Sequence, residues 1–330
     1  MDELITLDYG SGGKKTAELI EKLIVPKMDS EALSQLGDAA VIGDLVFSTD
    51  SFVVSPRFFP GGNIGKLAVC GTVNDISVAG GRPEYLSLSY IIEEGLPVEE
   101  LETITASVAD TAKECGVKIV TGDTKVVERG RGDGIYINTA GIGKLVIPGL
   151  GSQRMQEGDV VIVSGSVGDH GTAVMLAREP GLLGSEIESD CAPLNGLTAA
   201  LAPFGRSLRV MRDPTRGGLA TTLNEFIENS EVLGIELDER SIPVRPSVQS
   251  ACGILGLDPL YCACEGRLIA VVAPHIAQIV VDTLKNCGCG DAAAIGRVTS
   301  DHPGRLVIKT RLGGSRIAAK LTGAQLPRIC

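Results

Sequence analysis

Apolar residues along this chain follow two alternating spacings, and the alternation runs from end to end. Three-to-four spacing predicts helices, and the short β-branched runs between them predict strands. Thr16–Val25 reads as an amphipathic helix, with Leu19, Ile20, Leu23 and Ile24 on one face and Pro26 as its stop. Leu45–Thr49 reads as a strand ending at Asp50, and Gly65–Ala79 as a helix closed by Gly80-Gly81 and Pro83. Pro97–Cys115 is a longer helix, with proline at its start and Gly116 past its end. Lys118–Thr121 and Ile135–Leu145 read as strands. After the turn-like Pro148-Gly149-Leu150-Gly151-Ser152 the pattern restarts with a buried strand, Asp159–Ser164. Helices follow at His170–Arg178, Gly217–Asn229 and Pro274–Lys285, and strands at Arg267–Ala273 and Leu306–Lys309.

The pattern is that of an α/β or α+β chain. At 330 residues it exceeds one ordinary core. We expect two domains, 1–148 and 149–320, and a tail, 321–330, where periodicity stops. The apolar fraction of 44% suffices for two cores, yet no apolar run reaches the length of a membrane span. Met1-Asp2-Glu3-Leu4 lacks the basic start and apolar core of a signal peptide, so a cytoplasmic location is expected. A net charge of −11 repels nucleic acid and anionic membrane, and with Trp absent and aromatics at 3% stacking platforms are scarce. Three histidines, His170, His275 and His302, offer no zinc pair and no start for a Ser-His-Asp triad. Chemistry must rest on carboxylates, lysines, backbone amides or thiols.

Tyr9-Gly10-Ser11-Gly12-Gly13-Lys14-Lys15-Thr16 enters the first helix. Glycines let backbone N–H groups converge on an anion, and a helix N-terminus adds partial positive charge. This is not a P-loop, because Lys15 follows Gly13-Lys14 and Asp8 stands where the earlier glycine belongs. The segment by itself reads equally as a turn or a phosphate loop. Asp38, Asp50, Asp75, Asp123 and Asp213 sit among small or apolar residues, where single aspartates commonly mark turns. Asp75 differs: beside Asn74 in an apolar helix, it needs a partner or a metal. Several such carboxylates converging would suit magnesium.

Cys330 ends the tail, with Gly323-Ala324 as a stem and Leu326-Pro327-Arg328-Ile329 as handles that can dock. The adjacent α-carboxylate raises its thiol pKa, so it needs an activated donor or a basic pocket. Glu265, between Cys264 and Gly266, is a surface charge by default and a catalytic carboxylate if its strand borders a nucleotide. Cys262-x-Cys264 and Cys287-x-Cys289 leave buried thiols, a metal site and disulfides all open.

Five internal segments together with the terminal Pro327-Arg328-Ile329-Cys330 carry a resemblance. They are Asp8-Tyr9-Gly10-Ser11-Gly12-Gly13, Val73-Asn74-Asp75-Ile76-Ser77, Thr121-Gly122-Asp123-Thr124-Lys125, Arg212-Asp213-Pro214-Thr215-Arg216-Gly217-Gly218 and Cys264-Glu265-Gly266-Arg267. Over essentially its whole length the chain resembles the HypE family of carbamoyl dehydratases in nickel–iron hydrogenase maturation, within the PurM-like ATP-binding superfamily. The resemblance implies an N-terminal α/β domain that forms a β-barrel across a homodimer, a C-terminal α/β domain, and ATP in the groove between domains. It implies that Asp38, Asp50, Asp75 and Asp123 hold magnesium and phosphates. Gly10, Ser11, Gly12, Gly13 and Lys14 would cover the nucleotide, with Asn74, Thr124 and Asp213 also at the cofactor. Lys125 and Glu265 would handle protons near Cys330.

The implied reaction is ATP-dependent dehydration of a carboxamide on Cys330 to a thiocyanate. A HypF-type carbamoyltransferase would load the thiol, and a HypC–HypD complex would accept the cyanide. The two C-x-C pairs are no part of that pattern. A selenophosphate synthetase would place a cysteine near the glycine loop, whereas the first here is Cys70, and the related kinases need no terminal cysteine. A non-catalytic Cys-tailed scaffold is the alternative from another class.

Overall fold

The computed structural model describes residues 3–10, 12–28, 30–34, 36–179, 181, 187–321, 323 and 328–330. Its first half is organised by the helix Ile64–Val78, which is apolar all round and therefore central. Asn63 opens it, its side-chain oxygen accepting from the N–H groups of Gly65 and Lys66 at 2.9 and 3.2 Å. The helix lies between the helix Val98–Cys115 and a five-stranded sheet. That sheet runs in the order Ala40–Ile42, Leu45–Phe52, Ile135–Leu145, Gly81–Glu93, Lys118–Val127. All neighbours are antiparallel except the last pair, which is parallel and joined through Val98–Cys115. Two glycines let helix and sheet approach closely. A Cβ at Gly141 would stand 2.6 Å from Ile76 Cδ1, and one at Gly143 2.6 Å from Ile76 Cγ2.

The opposite face of this sheet is open. Phe47, Ile142 and Tyr85 lie side by side on three adjacent strands and are exposed. The edge strand Lys118–Val127 is exposed along nearly its whole length.

The second half is a seven-stranded sheet with helices on both faces. Its order is Ser315–Ile317, Leu306–Lys309, Gly234–Asp238, Ala293–Thr299, Val160–Val163, Ile269–Val272, Leu208–Arg212. The period-two rule is visible in Ile269–Val272. Ile269 and Val271 join the core under the helix Gly218–Ile227, while Ala270 and Val272 join the core under Asn195–Leu201 and Ala277–Asn286. Val78 and Ile147 of the first half also enter this second core, which ties the halves together.

The strands Ile135–Leu145 and Leu306–Lys309 match the sequence expectation in both bounds. The strand expected at Lys118–Thr121 continues to Val127. The first helix is regular only over Lys14–Leu19 and continues as a wide turn, Ile20–Ile24. The strand Gly81–Glu93 begins where Gly80, Gly81 and Pro83 predict only the stop of the preceding helix. Pro83 is accommodated where the ladder shifts register, between Pro83 and Tyr85. Among the described residues, no helix is long and apolar enough to cross a membrane.

Candidate active site

Three carboxylates meet at the seam between the halves. Asp75 projects from the Ile64–Val78 helix, Asp38 precedes the strand Ala40–Ile42, and Asp213 directly follows Leu208–Arg212. One ligand oxygen of each lies within 4.8 Å of the others. Ser48 Oγ donates to Asp75 Oδ2 at 2.7 Å, and Arg212 Nε pairs with Asp38 Oδ1 at 2.6 Å. Asp213 Oδ2 is buried with no hydrogen-bond partner among the described residues. Burial and then the neighbouring carboxylates push Asp75 well above the ordinary range. The same causes push Asp213 up to about 7, and burial outweighs Arg212 in raising Asp38. Asp50 stands close enough to contribute to the shifts of Asp38, Asp75 and Asp213. An all-oxygen donor set with an orphaned buried oxygen is suited to a hard divalent cation, which would relieve this repulsion.

The terminal thiol is docked against this acidic floor. Cys330 and Ile329 are buried in one core with Phe52, Val54 and Ile64. The end of the tail is gripped through its backbone. The N–H of Val53 donates to an α-carboxylate oxygen of Cys330 at 3.1 Å, and that of Ser55 to the Arg328 carbonyl at 3.2 Å. Arg328 Nε returns a bond to the Val53 carbonyl at 2.9 Å. From the helix Asp169–Arg178, Arg178 Nη2 donates to the Arg328 carbonyl at 2.8 Å, and His170 Nε2 meets the Ile329 carbonyl at 2.8 Å. A carbonyl only accepts, so His170 carries its proton on Nε2, and Nδ1 accepts from Ser189 Oγ at 2.8 Å.

Around the sulfur, burial pushes the Cys330 thiol up to about 12. Arg216, which hydrogen-bonds it, acts the other way, and Glu265 and Asp50 add to the rise. Arg216 is itself held above its ordinary value, with Cys330 the largest cause and burial opposing. Glu265 is buried, and its Oε1 has no hydrogen-bond partner among the described residues. Burial first, then Cys191, Asp213 and Asp50, keep its carboxyl protonated well above the usual range.

The fold thus brings together Asp38, Asp50, Asp75, Asp213, Glu265 and Cys330. The glycine loop reaches the same place. Gly12, at φ +75°, packs so closely that a Cβ would lie 2.8 Å from Arg216 Cβ. The Lys14 N–H donates to the Leu321 carbonyl at 3.0 Å, tying the loop to the start of the tail, while Gly13 caps the helix Lys14–Leu19. Gly10 borders open space, and Ser11 lies outside the described residues.

Four expected residues are placed elsewhere within this chain. The Asn74 side chain donates to the carbonyls of Ala192 and Glu265 at 3.1 and 3.2 Å and accepts from the Leu194 N–H at 2.8 Å. It clasps the two halves and presents no free group to a nucleotide. Asp123, Thr124 and Lys125 stand on the exposed edge strand, where Lys125 Nζ bonds Asp123 at 2.6 Å. Arg212, Arg216, Arg178, His170 and Ser48 were not singled out from the sequence. Arg212 and Arg216 flank Asp213 in a motif already noted, and that flanking was the available signal. A lone histidine carried none.

Burial lowers His170 to about 4, against the pull of the Ile329 carbonyl. Leaving the tail's cover would return it toward 6.5. The docked tail is therefore fully favoured above that value and is weakened as pH falls from about 6.5 towards 4, by up to about tenfold per unit. We expect exchange protection of the Val53 and Ser55 amides, corrected for intrinsic rate, to fall over that interval. The fall should be absent in His170→Gln. Protection that stays constant from pH 7 to 4.5 in the unmodified protein would contradict the role given to His170.

Comparison with known proteins agrees with this arrangement. Residues 36–145 match the N-terminal domain, and residues 156–309 the C-terminal domain, of AIR synthase related proteins, the two halves of a PurM-like fold. Carbamoyl dehydratase HypE of Rhizobium leguminosarum bv. viciae is 49% identical over 334 residues, covering 99% of this chain and 95% of that protein. Among solved structures, a HypE–HypF complex superposes with a TM-score of 0.87 at 47% identity, over 92% of this chain and 99% of that one. HypE in complex with ATP superposes at 0.83 and 45% identity, over 99% of this chain and all of that one. With both domain models matched and near-complete coverage at this identity, the chain belongs to the HypE carbamoyl dehydratase family.

Proposed function

We propose that this chain binds ATP and magnesium between its halves and dehydrates a carboxamide carried on Cys330 to a thiocyanate, the source of cyanide for the iron of a nickel–iron hydrogenase. The observation that carries the reading is the docking of the terminal thiol beside Arg216 and Glu265, next to the Asp38, Asp75 and Asp213 floor. The ATP complex of a related HypE supports the nucleotide.

The balanced reaction turns the Cys330-bound carboxamide and ATP into the Cys330-bound thiocyanate, ADP, phosphate and a proton. The carboxamide oxygen attacks the γ-phosphorus and ADP departs. The phosphorylated imidate then loses its nitrogen proton and expels phosphate, while the sulfur–carbon bond survives. Arg216, already bonded to the sulfur, steadies the carried group. Glu265, with a free Oε1, becomes a strong proton acceptor once ionised. Gly12 and Gly13 supply backbone over the phosphates. Asp38, Asp75 and Asp213, with Asp50 behind them, would hold magnesium, which would supply charge neutralisation for phosphoryl transfer.

Loading implies a HypF-type carbamoyltransferase, in line with the HypE–HypF complex of a relative, and delivery implies a HypC–HypD acceptor. One thiol serving three places suits a tail gripped mainly by backbone hydrogen bonds, since these can be broken and remade whatever the sulfur carries. The exposed row Phe47, Ile142 and Tyr85 supports a homodimer, being an apolar face of the kind that marks an interface. We assign Asp123, Thr124 and Lys125 to a state in which assembly or nucleotide brings the edge strand to the cleft.

Three measurements check this reading. In the intact mass, Cys330 should gain one carbamoyl group from the donor enzyme and lose one water when ATP is added. Cys330→Ala should show neither change yet still bind nucleotide. Loading on any other thiol would overturn the mechanism, and ATP hydrolysis indifferent to loading would fail to separate the enzyme from a scaffold. Asp75→Asn should weaken magnesium-dependent ATP binding by about tenfold or more without unfolding the chain. Unchanged affinity would remove Asp75 from the metal site. Sedimentation at micromolar concentration should give a dimer, and Ile142→Glu a monomer; a monomeric unmodified chain would count against the assembly.

A further inference from the structure

The two C-x-C pairs do not meet. Cys262 packs with Cys252 and Val248, Cys264 sits in the core under Gly218–Ile227, and Cys289 lies against the core on the other face of the sheet. Among the described residues, Asp38, Asp75 and Asp213 form the only group of acidic, histidine or cysteine side chains spaced to hold a metal. A four-cysteine metal site is therefore not formed.

Another pairing takes its place. Cys252, on the helix Pro246–Leu255, has its sulfur 3.8 Å from that of Cys262. Both residues are almost wholly buried, and Thr172 Oγ1 lies 3.4 Å from the Cys252 sulfur. We propose that Cys252 and Cys262 form an oxidisable dithiol, a site of covalent modification that a small hydroperoxide converts to a disulfide.

The two thiols are not equivalent. The hydrogen bond from Cys262 outweighs burial and brings Cys252 down to about 7, whereas Cys262 is pushed up by its bond to Cys252 and by burial. The Thr172 hydroxyl gives its proton to the Gly168 carbonyl at 2.7 Å, so toward the Cys252 sulfur it can only accept. Cys252 thus supplies the thiolate. It attacks one peroxide oxygen, the O–O bond breaks, and hydroxide leaves a sulfenic acid on Cys252. The Cys262 sulfur then attacks the Cys252 sulfur and expels the hydroxyl as water. Overall two thiols and one hydrogen peroxide give one disulfide and two waters.

A cavity of about 370 Å³ adjoins this cluster, lined by Val244 and Leu257, which pack against the core that holds the two cysteines, and by Gln249 and Leu260. A disulfide needs the sulfurs near 2.0 Å, so they must close by ~1.8 Å. Cys262 has no room to move. A Cβ at Gly218 would lie 2.6 Å from its carbonyl oxygen, and one at Gly168 3.4 Å from its Cβ. The next two residues are tied as well, Ala263 O accepting from the Gly171 N–H and the Cys264 N–H donating to Pro214 O, each at 2.9 Å. The Pro246–Leu255 helix is the partner that moves, since Gly253 borders open space and Ile254 is exposed, so its outer face is not held by neighbours there. Oxidation draws this helix inward and leaves Glu265 and Asp213 where they are.

The test uses the full chain with graded hydrogen peroxide, followed by unfolding, thiol alkylation and peptide mapping. A Cys252–Cys262 cross-linked peptide, reversed by dithiothreitol, is expected at peroxide levels that leave nucleotide binding unchanged. Cys262→Ala should leave Cys252 as a sulfenic acid that dimedone traps, whereas Cys252→Ala should leave Cys262 unlabelled. Full alkylation of both cysteines after peroxide, with only the exposed Cys287 or the Cys330 thiol oxidised, overturns the proposal. The unmodified chain alone gives that answer if a variant does not fold. The mapping needs neither donor enzyme nor turnover, so it stands apart from the dehydratase reading.

Discussion

Five carboxyls and two guanidiniums share one seam, and this imbalance of charge is the constraint around which the rest of the molecule is arranged. Asp38, Asp50, Asp75, Asp213 and Glu265 face Arg212 and Arg216, and removing even one unpaired charge from water costs several kcal/mol. Left alone, such a group spreads apart or takes up protons, and the raised pKa values of all five carboxyls record the second response. The first is blocked. Val78 and Ile147 lie in the core of the second half, and the Asn74 amide is bonded to the Glu265 carbonyl and to the backbone of Ala192 and Leu194. The energy that holds the acids together comes from two apolar cores. A divalent cation bound among these oxygens would relieve the repulsion.

The docked tail is a second consequence. A thiol among carboxyls is a poor nucleophile, and burial raises Cys330 further, so this position suits a sulfur that has already been loaded. Arg216 is the exception in the local charge, and its bond to the sulfur marks where a carried group would rest. Because Val53, Ser55, Arg178 and His170 hold main-chain oxygens of the tail, the grip is indifferent to what the sulfur carries. It loosens by protonating one buried imidazole or by replacing a few backbone hydrogen bonds with water.

Much of this was legible in the sequence where one residue's local surroundings decide the outcome. Asp75 announced itself because a carboxylate in an apolar helix has no bland explanation, and the strand Ile135–Leu145 showed itself by its periodicity. The glycine loop was legible in composition but ambiguous in role until Gly12 was seen against Arg216. The strand Gly81–Glu93 was hidden because Pro83 reads as a breaker, while the sheet absorbs it at a register shift. His170 and Arg178 were invisible because their partners are carbonyls more than a hundred residues away. The bonds of Asn74 were hidden for a related reason, since its partners Ala192, Leu194 and Glu265 also lie more than a hundred residues away. The partner of Cys262 lay in another helix rather than at the neighbouring Cys264, and only packing could reveal it.

The central claim is that the sulfur-bound carboxamide oxygen is phosphorylated in this seam, and the fate of that oxygen tests it most directly. The chain should be loaded with a carboxamide bearing oxygen-18 and mixed with unlabelled ATP in unlabelled water, and the inorganic phosphate released in a single turnover should be analysed by mass. The account predicts one labelled oxygen in phosphate for each thiocyanate formed. Label found in water, with phosphate unlabelled, would mean that ATP hydrolysis and loss of water are separate events and would contradict the mechanism.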